Sequence, residues 1–436
     1  MLQCNRNENI TEYIMHQLTE FLGSSYTAYQ AVENAKKLLT ENGFTQLLET
    51  EDWELLEGGK YFVERGGSAL IAFTVDGLDR FAFKIVASHT DSPALKIKEN
   101  PVNKIGPYAT LNVEKYGGGI LYSLFDRPLK IAGRLVTEEN GGLQSETFVS
   151  NELFTIPSVA IHQNRTANDG FSPNAQIDLQ PLFSLGEEKP NFPACITEKS
   201  VVAYDLYLVN ADTPYSFGLN GEFLASPRID DLTCVYASLQ SLLSHENLGG
   251  ICVAACFDSE EIGSQTMEGA GCDFLEHTLK RIAYAFKFNE EEYFKALAGS
   301  FLVSADNAHA MHPNHPEKCD PTNKTVMGGG IVIKSHANRA YTTDALSSAV
   351  LKTVFDRAEI KHQAFFNRSD AASGRTLGGV SLSKVSVASV DIGLPQLAMH
   401  SACECFAKTD YSELVRGLQA FFSSEIIMEN GKVEIL

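Results

Sequence analysis

Five metal-type positions, each closing or following an apolar run, constrain this chain more than any other feature. They are His89 in Ala-Ser-His-Thr-Asp-Ser-Pro, Asp230 in Ser-Pro-Arg-Ile-Asp-Asp-Leu, Glu260-Glu261 in Asp-Ser-Glu-Glu-Ile-Gly-Ser, Asp306 in Ser-Ala-Asp-Asn-Ala-His-Ala, and His400 in Leu-Ala-Met-His-Ser-Ala. Taken singly, each has a plain structural reading: a polar turn for His-Thr-Asp, a helix cap for Asp230-Asp231 or for Asp258-Ser259. Together they fit two divalent metals. Two imidazoles and three carboxylates give each of two zinc ions one His and one carboxylate, with the third carboxylate bridging and open positions left for water and substrate. The spare Glu is then a base.

The fold must bring these distant segments to one place. In open α/β sheets ligands bind beyond the carboxyl ends of strands, and His89, Glu260-Glu261 and Asp306 each follow an apolar run at that end. The expected class is therefore α/β, with a mixed, mostly parallel sheet covered by helices on both faces. Two helices are predicted over the first 45 or so residues, the second spanning 27–40 with Asn42-Gly43 as its stop. Strands are predicted at 69–74, 81–88, 251–257, 282–286, 301–303, 331–334 and 385–391. Helices are predicted at 230–243, 346–357 and 411–422, the last closing the chain. From about residue 98 to 223 the texture changes to short alternating segments (110–115, 129–136, 201–209) between Gly, Pro and Asn clusters, which predicts an all-β insertion. The division is thus 1–97, 98–225 and 226–436, with the first and last parts forming one unit.

The charge balance narrows the partners. With 35 Lys plus Arg against 55 Asp plus Glu, the formal net charge is −20, so the average surface repels nucleic acid and anionic membranes. An acidic substrate needs a local cation to override that field. No apolar run is long enough to span a bilayer, and the amino-terminal segment alternates polar and apolar residues at helical spacing, unlike a signal peptide. Nine cysteines without a Cys-x-x-Cys pair point to reduced thiols and a cytoplasmic location.

The carboxylate of Asp91, two residues after His89, suits an orienting partner for a ligating imidazole. Asp306 is followed closely by His309, His312 and His315, a dense group in a chain with 11 His; some of these fit substrate-facing or supporting positions.

Read together, these segments resemble the aspartyl aminopeptidase and aminopeptidase I family of di-zinc exopeptidases nearly end to end. The resemblance is carried by His-Thr-Asp-Ser-Pro at 89–93, Tyr-Gly-Gly-Gly at 116–119, Phe-Asp-Arg at 125–127, Ile-Pro-Ser-Val-Ala-Ile-His at 156–162 and Arg-Ile-Asp-Asp-Leu at 228–232. It continues through Ser-Glu-Glu-Ile-Gly-Ser at 259–264, Ser-Ala-Asp-Asn-Ala-His-Ala-Met-His-Pro-Asn at 304–314 and Leu-Pro-Gln-Leu-Ala-Met-His-Ser at 394–401. It implies Asp230 as the bridging ligand, His89 and Asp306 on one zinc, Glu261 and His400 on the other, Glu260 as general base and Asp91 orienting His89. Cobalt or manganese are possible substitutes for zinc. It also implies that the β-rich insertion is a dimerisation domain, that His162 reaches a neighbouring subunit's active site, and that the assembly is a homo-oligomer, typically a dodecamer built from dimers.

The implied activity is removal of the N-terminal residue from peptides with a free N-terminus, with Asp or Glu preferred. Lys334, which matches the family's Gly-x-Val-Ile-Lys, is the first candidate cation for such a residue, and Arg375 the second. A neutral, leucyl-type aminopeptidase, another two-metal amide hydrolase such as a carboxypeptidase or deacylase, and a non-catalytic self-assembling scaffold are the alternatives. The chain departs from the family pattern at Ala402-Cys403 after His400, at Ser158, and over 369–376, so specificity is where this member is expected to differ.

Overall fold

The strands Phe83–His89 and Gly250–Phe257 are buried at every residue, so both faces of the sheet that contains them must be covered. The computed structural model of the chain describes residues 2–246, 248–371, 374, 376–429 and 432–436, with side chains described from residue 12 onward. It places these two strands in a nine-stranded sheet of order Thr45–Leu47, Lys60–Arg65, Ala69–Gly77, Gly250–Phe257, Phe83–His89, Phe301–Ala305, Ala388–Gly393, Ile331–Lys334, His362–Phe365. Most neighbouring pairs are parallel, including the central run from Gly250–Phe257 to Ala388–Gly393. The strands Ala69–Gly77 and Phe83–His89 follow each other in sequence but do not pair; Gly250–Phe257 lies between them, antiparallel to the first and parallel to the second.

Alternation along each strand divides the core in two. Leu70 and Ala72, with Cys252, Ala254 and Cys256, join one apolar cluster with the helices Ala28–Glu41, Ile229–Ser244, Ala345–Arg357 and Lys408–Phe422. Ile71 and Phe73, with Ile251, Val253, Ala255 and Phe257, face the other way into a cluster with Phe274–Ala285 and Glu290–Ala298. Two expectations are corrected here. The run 282–286 is no strand: Phe274, Leu275, Thr278, Leu279, Ile282 and Ala283 are buried at helical spacing, so its apolar residues end the helix Phe274–Ala285. Nor does a helix close the chain, because Lys408–Phe422 is followed by an antiparallel pair, Ile426–Glu429 with Lys432–Ile435, whose Ile426, Met428, Val433 and Ile435 pack on the first cluster.

The β-rich segment forms a separate six-stranded sheet of order Gly142–Val149, Leu129–Glu139, Val201–Asn210, Ala94–Ile105, Tyr108–Tyr116, Leu182–Leu185, with every neighbouring pair antiparallel. It has its own apolar core, including Leu95, Leu111, Ile131 and Leu206. This sheet begins at Ala94, only five residues after His89, so its first turns stand beside the carboxyl end of the central sheet. Asn210 returns the chain: its side chain donates to Ala402 O at 2.6 Å, and its carbonyl accepts from the buried Arg228 guanidinium at 2.9 Å.

Candidate active site

Three neighbouring strands deliver the central residues. Phe257 pairs with His89 in parallel register, and Ser304 pairs with Ala87, so His89, Glu260-Glu261 and Asp306 all emerge at one end of the sheet. After Phe257 the chain turns through Ser259 (φ 64°) into the short turn Glu260–Ile262, closed at Gly263 (φ 101°), a conformation glycine adopts without strain. Asp230 and Asp231 precede the regular part of their helix, with non-helical dihedrals at both residues. His400 sits at a bend with φ 65°, fixed by its own N–H donating to Glu404 Oε1 at 2.7 Å.

The structure gathers His89, Asp230, Glu261, Asp306 and His400 into two groups that share Asp230. His89 Nε2 is 3.4 Å from Asp230 Oδ1 and 4.0 Å from Asp306 Oδ1. His400 Nε2 is 3.5 Å from Asp230 Oδ2 and 3.2 Å from Glu261 Oε1. One carboxylate thus offers one oxygen to each group. Zinc bonds of about 2.0–2.1 Å at a tetrahedral angle put ligand atoms roughly 3.3–3.4 Å apart, close to most of these separations. Asp230 Oδ1, Asp231 Oδ1 and Glu261 Oε1 are buried without a hydrogen bond, a costly state for carboxylates unless a cation completes them. The donor set of imidazole and carboxylate suits zinc, cobalt or manganese.

Asp91 ties these groups together. Its Oδ1 lies 3.3 Å from His89 Nδ1, and its two oxygens accept from the N–H of Glu260 at 3.1 Å and of Glu261 at 3.2 Å. Tyr116, from the β-rich sheet, donates its hydroxyl to Asp91 Oδ2 at 2.7 Å. Burial with few cations sets the protonation of the cluster. Burial opposes charge on His400, yet its bonds to Asp230 and Glu261 raise its pKa to about 11; His89 is raised for the same reason by Asp230, Asp231 and Asp91. Burial, reinforced by Asp306, Glu261 and Asp230, pushes Glu260 up to about 8. A metal bound by these residues would displace protons from them.

Several contributors were not read from the sequence. Asp231 accepts from His89 N at 3.2 Å and belongs to the first group. The buried Glu404 accepts from Asp230 N at 3.0 Å as well as from His400 N. Glu404 directly follows the Ala402-Cys403 departure, so the supporting carboxylate sits where the family pattern resumes.

The other expected residues are scattered. Lys334 is buried and donates to Asp306 O at 2.7 Å and Asn307 O at 3.2 Å, with Asp306 Oδ2 3.7 Å away. His309 lies on the short strand Ala308–His309, near enough to feel the charges of Asp230, Lys334 and His400. His162 is exposed in a turn, and no described hydrogen bond or ion pair joins it to the cluster. His312 and His315 face each other in an exposed loop, with ring centroids 5.3 Å apart. Arg375 lies outside the described residues.

The sequence profile described as aminopeptidase I zinc metalloprotease (M18) matches residues 21–422. The protein named "Probable M18 family aminopeptidase 2" in Clostridium acetobutylicum is 40% identical over 423 residues, covering 93% of this chain and 98% of that protein. Among solved structures, the Ape4 and Nbr1 complex superposes with a TM-score of 0.91 at 32% identity, over 95% of this chain and 86% of the other. The S. cerevisiae mApe1 dodecamer shares the fold, with a TM-score of 0.81 at 24% identity over 95% and 97% of the two chains.

Proposed function

The chain belongs to the M18 family of zinc metallo-aminopeptidases, hydrolases that remove N-terminal residues, and from that premise we propose that it is a two-metal enzyme preferring peptides with an N-terminal Asp or Glu. The observation that carries the two-metal reading is Asp230, whose two oxygens face two separate ligand groups. In this reading His89 and Asp306 hold one ion, Glu261 and His400 the other, and Asp230 both. When bound, the ions acidify an attacking water and polarise the scissile carbonyl. Glu260 takes the proton from that water and passes it to the leaving amine, while Asp91 keeps His89 in the tautomer that presents Nε2.

The preference for acidic residues rests on Lys334. Its ammonium donates to the carbonyls of Asp306 and Asn307 and lies 3.7 Å from Asp306 Oδ2, so it is a buried cation next to a proposed metal ligand. In a chain of net charge −20 such a cation is needed to offset the field.

The β-rich segment, taken as 98–225, serves in this reading as the dimerisation domain of a cytoplasmic homo-oligomer, a dodecamer like that of mApe1. Exposed apolar residues on that sheet, Ile105, Tyr108, Leu182 and Leu185 among them, support an interface there. His162, exposed in a turn of that segment, is the residue proposed to act on a neighbouring subunit's site. No helix among the described residues is long and apolar enough to cross a membrane, and all eight cysteines described are free thiols.

The test is elemental analysis with a hydrolysis panel. Two ions are expected at this cluster, both lost in Asp230→Asn, with aspartyl and glutamyl peptides cleaved faster than leucyl ones and blocked peptides left intact. Loss of one ion only would remove Asp230 from the bridge. An unchanged acidic-to-leucyl ratio in Lys334→Met would exclude Lys334, and a wild-type preference for leucyl peptides would leave a neutral aminopeptidase.

A further inference from the structure

A second convergence of metal-type donors lies at the opposite end of the central sheet. Asp76 near the end of Ala69–Gly77, Cys252 near the start of Gly250–Phe257, and His245 just after the helix Ile229–Ser244 bring three different donor atoms together. Asp76 Oδ2 is the focus: His245 Nε2 is 2.6 Å away and Cys252 Sγ 3.4 Å away. The side chains of Asp76 and His245 are 5% and 6% exposed, and Cys252 is fully buried. Five residues of strand separate Cys252 from Phe257, or about 16 Å, so this group is distinct from the cluster around His89.

We propose that Asp76, His245 and Cys252 form a further binding site for a zinc-type divalent ion, one that pins the far end of the helix whose first turn carries Asp230.

Three features carry this. His245 Nδ1 is 2.8 Å from Leu242 O, an arrangement that fixes the proton on Nδ1 and frees Nε2 for a metal. Thiolate, imidazole and carboxylate together select zinc or cobalt over magnesium or calcium. The geometry is nearly in place: tetrahedral zinc puts sulfur and oxygen ligands roughly 3.5 Å apart and nitrogen and oxygen roughly 3.3 Å apart. The Cys252–Asp76 pair already meets this, and the His245–Asp76 pair must open by about 0.7 Å.

The ion replaces two protons, the thiol proton of Cys252 and the proton shared between His245 Nε2 and Asp76 Oδ2 at 2.6 Å, which pass to solvent as the bonds to the metal form; nothing is oxidised or reduced. Burial raises the thiol's pKa, which opposes this, but the Lys84 ammonium lowers it. Lys84 stays close to the thiol while donating to Phe422 O and to Ser424 O at 3.1 Å.

The catalytic group contains no thiol ligand, so sulfur spectroscopy reports on this site alone. Cobalt is added to the reduced, full-length protein after chelation, and thiolate-to-cobalt charge transfer is followed in the near ultraviolet. The wild type should show the band, whereas Cys252→Ser should lack it and bind one equivalent fewer, with peptide hydrolysis within two-fold. Cys234→Ser, near the catalytic cluster, should keep the band. If Cys252→Ser does not fold, His245→Gln replaces it and should lose the same equivalent. A wild type without the band, or a band that survives in Cys252→Ser or His245→Gln, overturns the proposal.

Discussion

The two ends of the central sheet solve opposite electrostatic problems with similar residues. At the carboxyl end, Asp230, Asp231 and Glu261 keep buried oxygens without hydrogen bonds and His400 is pushed up to about 11. At the amino end, Asp76 is held below its usual range, despite burial, by His245, Thr74 and Cys252, and both His245 and Cys252 bond to its Oδ2. The first end therefore leaves oxygens open to added positive charge, whereas the second already pairs its donors and would take an ion only by releasing the protons that join them. Chemistry belongs where the protein leaves charge unsatisfied.

The largest test of that contrast is Glu260→Gln. It should keep both metal equivalents and lose 10²–10⁴-fold or more in kcat, because it removes the proton acceptor and keeps the shape; near-normal turnover would break the assignment. At the amino end, Asp76→Asn should leave kcat unchanged and cost about 3–5 kcal/mol of stability, since it strands a buried imidazole beside Lys84. Denaturant unfolding measures this, and a drop in kcat with no loss of stability would invert the comparison. Tyr116→Phe should be milder, weakening metal affinity about 10-fold through Asp91, as removal of outer partners does. Competition with a chelator would read it.

The smallest effect is in pH. His400, Glu260 and Glu404 all have raised pKa values in the metal-free chain, to about 11, 8 and 8, first against or through burial. The folded chain then holds more protons than the unfolded one. For His400 the stabilisation is complete below its unfolded value of about 6.5 and is lost as pH rises toward 11. For the two Glu, stability falls from about pH 4.3 up to 8. Chelated protein should therefore lose thermal stability from pH 6 to 9 while metal-loaded protein changes less, so the gap in Tm should widen. A constant gap would mean that protons and metal do not compete.

What the sequence made legible was whatever sits at the end of an apolar run. His89, Glu260-Glu261 and Asp306 each announce themselves because a buried strand stops there, and the sheet that gathers them follows from the same runs. Residues placed by partners far along the chain carried no such mark. Glu404 acts on the backbone of Asp230, 174 residues earlier, and Tyr116 reaches Asp91 only because the β-rich sheet folds back onto the strand end. The run 282–286 was misread because four or five apolar residues satisfy either period until their neighbours are known. Lys334 could be placed at a strand end, but not foreseen as buried with its donors on two carbonyls.

The strand Gly250–Phe257 lies between two strands that precede it by some 160 residues, which bears on how the chain is made. During synthesis at 5–20 residues per second, Ala69–Gly77 and Phe83–His89 emerge roughly ten to thirty seconds before the strand that joins them. Two largely apolar strand edges wait meanwhile without their partner, the kind of surface on which nascent-chain chaperones act. His400, the last of the proposed ligands along the chain, leaves the ribosome later still, so a site scattered in this way cannot be assembled until long after its first strands are made.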